Sequence, residues 1–93
     1  MQPELIAKIK KRIRLKSNGS EEEIKDLVSA AAIELEKAGV YGNPEDPLYY
    51  QAVVLYCKAN YGYDENTERF RKSFEALRDS MALSGDYEKQ EDS

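Results

Sequence analysis

The chain has 93 residues and a net charge of −4, which is enough for one small domain and leaves no room for a second core. It holds one cysteine, Cys57, and no histidine. That excludes an intrachain disulfide, an imidazole metal site and any Ser–His or Cys–His catalytic pair. No apolar run approaches the roughly 20 residues of a membrane span. The basic N-terminal stretch lacks the apolar segment that would make it a signal peptide, so a cytoplasmic product is expected.

The first predicted helix covers residues 3–15. Leu5, Ile6, Ile9 and Ile13 fall within about 100° of arc at the helical turn angle. Around them lie Lys8, Lys10, Lys11, Arg12, Arg14 and Lys16. Against these six cations, residues 1–16 hold one acid, Glu4, so the remainder must carry −9 to reach the total of −4. Ser17-Asn18-Gly19 breaks the pattern.

Ser20 and Glu23 form a capping box that opens a second helix. Its apolar stripe is Ile24, Leu27, Val28, Ala31, Leu35 and Ala38, with Ile33 on the opposite side. Gly39 suits the left-handed position after the helix, and Val40 the apolar contact that follows. After a loop at residues 41–46, Asp46 caps a third helix with Pro47 in its first position.

That third helix, residues 47–61, is apolar around most of its circumference, with Gln51 and Lys58 as a narrow polar stripe. A strand is the alternative for residues 49–56. The length, the Pro start and Gly62 beyond the end favour helix. So wide an apolar surface predicts that part of it faces another subunit. Asn66 is positioned to cap a fourth helix, residues 67–83, in which Phe70, Phe74, Leu77 and Met81 recur on one side before Gly85 ends it. The expectation is therefore an all-α fold: a small bundle of about four helices, with a basic N-terminal helix and a flexible acidic C-terminal tail. Residues 1–85 form the domain, and residues 86–93 are expected to be disordered alone.

Each functional candidate competes with a plainer role. Lys8, Lys10, Lys11, Arg12, Arg14 and Lys16 can contact phosphates or an acidic partner, or simply form a solvated helix face. No Asn or Gln lies among them to read adenine. Tyr49, Tyr50, Tyr56 and Tyr61, with Val54 and Ile33, are candidates for a subunit interface. The competing reading places about half of the tyrosines in the core and leaves Ile33 as an ordinary exposed apolar residue. Cys57 reads as a small buried hydrophobe, not a nucleophile. No calcium loop, phosphate loop or catalytic constellation is present in the sequence, and no cofactor or metal is expected.

Three ordered stretches resemble the phage head–tail connector family, also called head-completion or DNA-packaging adaptor proteins. They are Glu22-Glu23-Ile24-Lys25-Asp26-Leu27-Val28 continuing to Glu36-Lys37-Ala38-Gly39-Val40, then Asp46-Pro47-Leu48 through Tyr56-Cys57-Lys58-Ala59-Asn60-Tyr61-Gly62, and finally Arg69-Phe70 through Leu83-Ser84-Gly85-Asp86-Tyr87. The resemblance spans about residues 8–87 and looks like the version found in prophages of Gram-positive bacteria. It implies an all-α subunit without enzymatic activity. That subunit assembles as a homo-oligomeric ring on the portal protein at the capsid vertex, extends the channel for double-stranded DNA, and offers a platform to the next neck or tail-completion protein. It would gather in the host cytoplasm and end in the virion neck. Some members carry Gln-Leu-Arg-Gly near the last helix, where this chain has Ala76-Leu77-Arg78-Asp79. The alternative from the residues alone is a small nucleic-acid-binding packaging accessory or regulator that uses the basic N-terminal helix.

Overall fold

Helix ends in this chain follow from a few short-range hydrogen bonds, and those ends set where the chain reverses. The computed structural model describes residues 7–9, 11, 21–61 and 66–89, without the side chains of Glu21 and Tyr61. Residues 7–9 and 11 are helical and are called α1. They are followed by α2 (Glu21–Lys37), α3 (Pro47–Tyr61) and α4 (Thr67–Ser84). Every regular element among the described residues is a helix, so the all-α expectation holds and the strand alternative for residues 49–56 does not.

The end of α2 closes as a Schellman motif. Gly39 takes φ +85°. The Val40 N–H donates to the Leu35 carbonyl at 2.8 Å, and the Gly39 N–H donates to the Glu36 carbonyl at 2.9 Å. These are the 6→1 and 5→2 bonds that satisfy otherwise orphaned carbonyls, and the apolar contact that accompanies them is Val40. Val40 and Leu35 are both fully buried.

Seven residues later the chain re-enters helix as predicted. The Tyr49 N–H donates to Asp46 Oδ2 at 2.9 Å, the bond an N-cap carboxylate makes to the third helical amide. The Asp46 carbonyl accepts from the Tyr50 N–H, also at 2.9 Å. Gly42 in the connecting loop is needed for closeness: a Cβ there would lie 2.8 Å from the Tyr49 ring.

One of the predicted caps differs. Asn66 precedes α4, but its side chain makes no cap hydrogen bond. Its backbone carbonyl alone accepts the first helical bond, from Phe70. Ser20 of the capping box lies outside the described residues, as do Gly62 and the Asp64–Glu65 connection. Gly85 ends α4 as expected, at φ +78°.

α3 packs against both α2 and α4. The core consists of Ile9 from α1, the α2 stripe of Ile24, Val28, Ala31 and Leu35, then Val40, a broad part of α3, and Phe74 and Met81 from α4. Tyr56 and Phe74 meet edge to face, with ring centroids 5.3 Å apart and planes at 67°, the geometry favoured by the ring quadrupoles. The amphipathic elements are the outer ones. α2 and α4 each bury one stripe, whereas α3 buries residues on several sides.

Candidate interaction surfaces

Of the six cations proposed for DNA or an acidic partner, Lys8 and Lys11 are described, and both are exposed. Lys10, Arg12, Arg14 and Lys16 lie outside the described residues. Ile9 is fully buried between them, so α1 is held to the body by its apolar side while Lys8 and Lys11 remain in water. The Lys8 ammonium sits 5.7 Å from the Tyr50 ring centroid, within the range of a cation–π attraction.

Most of the apolar surface of α3 is covered by its own chain, although Leu48 near its start stays 51 % exposed. Val54 is 0 % and Tyr49 5 % exposed. Both were interface candidates, and both are core residues with no surface to offer. Ala52, Val53, Cys57 and Ala59 are buried as well. The reason is geometric. α2 and α4 both pack on this helix, and Ile9 of α1 joins the same core, so most of its apolar circumference finds cover within the chain. Tyr50 and Tyr56 remain half-buried, and the Tyr61 side chain lies outside the described residues. Ile33 keeps its predicted place on the outer side of α2, 53 % exposed.

The uncovered apolar surface lies away from the middle of α3. Among the described residues, the large exposed apolar side chains besides Ile33 are Tyr41 (37 %), Leu48 (51 %) and Leu83 (88 %). These three flank a contact that the sequence reading missed. The Tyr87 hydroxyl donates to Asp46 Oδ2 at 2.6 Å, the same oxygen that caps α3. The Tyr41 N–H donates to the Tyr87 carbonyl, also at 2.6 Å. Tyr87 is half-buried and packs against the core. Tyr87, within the acidic segment that starts at residue 86, is fastened onto the α2–α3 loop. The signal in the sequence was the Leu83-Ser84-Gly85-Asp86-Tyr87 motif, but nothing local names a partner 41 positions away.

Hydrogen bonding gives this clasp an electrostatic signature. The Tyr87 hydroxyl, then the Tyr49 amide, hold the Asp46 carboxyl below its usual range. The Asp46 carboxylate in turn pushes the Tyr87 phenol up to about 12, because ionising the phenol would lose the donor and set two negative charges together.

Little in the remaining surface has the makings of catalysis. Burial pushes the Cys57 thiol up to about 12, the opposite of what a nucleophile needs. An open groove beside Tyr56 and Phe74 is lined by Glu34, Asn60, Arg71, Glu75 and Arg78 among others. Its two acids and two cations offset each other. Among the described residues, no three His, Cys, Asp or Glu side chains cluster as metal ligands would.

Residues 5–88 match the model of a family described as phage connector protein. The chain belongs to that family. No curated protein and no solved structure gives a significant match. The match takes in the basic N-terminal segment and ends just past Tyr87, so the clasp lies inside the family region. Connector proteins are structural components of the virion and not enzymes, in keeping with the resemblance found in the sequence. None of the described helices is long and apolar enough to cross a membrane.

Proposed function

We propose that this connector is the adaptor subunit of the phage neck. Copies form a homo-oligomeric ring on the portal vertex, extend the DNA channel and complete the head for tail attachment. The subunits gather in the host cytoplasm and remain in the virion neck. The observation that carries this reading is the family match over residues 5–88. The distribution of the exposed apolar side chains supports it. Ile33 lies on the outer side of α2, while Tyr41, Leu48 and Leu83 lie around the clasp. A subunit that closes a ring needs two different contact surfaces, since a head-to-tail interface closes only by rotation.

The cations of the N-terminal segment, with Lys8 and Lys11 exposed, suit loose contact with phosphates along a channel. Such contact is not sequence-specific and weakens with salt. The test is a mass measurement by light scattering across protein concentration, with and without a purified portal oligomer. The adaptor reading expects a discrete oligomer, either free or on the portal. A chain that stays single in both conditions and binds duplex DNA tightly, with a salt slope that falls on Lys11→Ala, would instead favour the packaging accessory.

A further inference from the structure

We infer that the Tyr87 clasp is exchanged between copies: in the assembled state, Tyr87 of one subunit occupies the Asp46–Tyr41 seat of the next. The inference rests on the ring reading above and adds to it which surfaces meet.

The seat has two polar parts. Asp46 Oδ2 accepts the phenol, and the Tyr41 N–H donates to the carbonyl of residue 87. Every copy carries both the seat and the segment that fills it. A neighbour's Tyr87 makes the same hydrogen bonds and the same ring packing as the chain's own, so exchange keeps those contacts and costs only a change at the hinge. Gly85 supplies the hinge. It sits at φ +78° directly after α4, in a region glycine enters and leaves without the steric cost other residues bear. A β-carbon there would meet only the end of the Glu88 side chain, at 3.9 Å. Ser84 marks the point where α4 stops: its hydroxyl donates to the Met81 carbonyl at 2.8 Å and accepts from the Asp86 N–H at 3.2 Å. Beyond that point the half-buried Tyr87 ring and its two hydrogen bonds attach the segment, and Asp86, Glu88 and Lys89 on either side are exposed. A segment held so lightly opens well before the bundle unfolds.

The short hinge also determines the geometry of the pair. Three residues from Ser84 to Tyr87 reach about 10 Å at most. An exchanged clasp therefore brings the end of one α4 close to the α2–α3 loop of the next copy. Leu83 precedes the hinge, Tyr41 is part of the seat and Leu48 follows Asp46 by two residues. The exchange thus gathers at one junction three of the four large apolar side chains that are exposed among the described residues.

The experiment is disulfide trapping. The backbone bond between Tyr41 and the Tyr87 carbonyl brings position 41 beside the exposed Glu88, within reach of a disulfide that leaves the Tyr87 ring in place. Cys57 is fully buried and its thiol is poorly ionised, so it does not compete under mild oxidation. Tyr41→Cys chains and Glu88→Cys chains are mixed, assembled, oxidised and run under denaturing, non-reducing conditions. The inference expects the assembled fraction to shift from single chains to covalent dimers, and a chain carrying both substitutions to form a covalent ladder. Assembly with closure only within single chains overturns the exchange and leaves the ring standing. Failure of wild-type protein to assemble, with or without portal, overturns both.

Complementation guards against variants that are merely damaged. Asp46→Ser keeps an N-cap for α3 but is too short to hold the phenol as well, and Tyr87→Ala lacks the ring. Under exchange each variant alone assembles poorly, and an equimolar mixture forms heterodimers, because the intact Tyr87 of one variant meets the intact Asp46 of the other. No heterodimer in the mixture, with helical content unchanged by circular dichroism, counts against the inference.

Discussion

The waist of α3 and the clasp end of the bundle are both rich in apolar side chains, yet they use them in opposite ways. At the waist, Ala52, Val53, Val54 and Cys57 are all buried within the chain. Around the clasp, Tyr41, Leu48 and Leu83 stay in water beside two hydrogen bonds to one tyrosine. The waist therefore holds the chain together, and the clasp end is where apolar side chains are left uncovered. An apolar count along the sequence does not separate the two, because exposure depends on which helices pack nearby.

The sharpest way to break that contrast is a charge at the waist. Val54→Asp places a carboxylate among Ile9, Leu35 and Phe74, all members of one core. We expect a loss of about 4 kcal/mol or more, seen as collapse of the helical signal in circular dichroism. A folded Val54→Asp monomer with lost assembly would return Val54 to the interface and invert the comparison.

Raising the pH probes the same core. The Cys57 thiol titrates near 9.0 when unperturbed and near 12 in the fold. Between those values the native state holds the proton that the unfolded state releases, so stability falls as pH rises through the window, by on the order of 1.4 kcal/mol per pH unit. Denaturant midpoints at pH 9 and 10.5 measure this, and Cys57→Ala should flatten the dependence. An equal slope in that variant would assign it to other groups.

Gly39→Ala sharpens the comparison at a turn that serves the waist alone. Nothing lies within 4 Å of the added carbon, but φ is +85°, so the cost is backbone strain of about 1 kcal/mol. Assembly of the folded fraction should not change. At the clasp end, Leu83→Ser should move stability by less than about 0.5 kcal/mol while weakening assembly. An unchanged oligomer would remove Leu83 from the contact.

The smallest expected effect is on Asp46. Its folded pKa is lowered chiefly by the Tyr87 hydroxyl. Stability linked to this carboxylate is therefore present above the unfolded value of 3.8 and is lost as pH falls through the lower folded value. Tyr87→Phe should bring the Asp46 titration, followed by NMR, back toward 3.8.

By itself the sequence determined the elements and their ends. A glycine two residues past Lys37, an Asp-Pro pair before the third helix and a glycine after Ser84 act over four or five positions, and each acts as its chemistry predicts. It also determined the stripes of α2 and α4, because a helical period is local, and the family resemblance that the match over residues 5–88 bears out. Where local chemistry was weaker the expectation missed: Asn66 occupies the cap position without making the side-chain bond.

Only the tertiary structure decided what covers α3 and what holds Tyr87. Both depend on contacts between residues far apart in the chain. Val54 shares a core with Ile9 and Phe74, and Tyr87 bonds a carboxylate 41 positions upstream. Composition records how much apolar surface a helix carries, but burial depends on how many directions its neighbours approach from, and that exists only once the chain has folded.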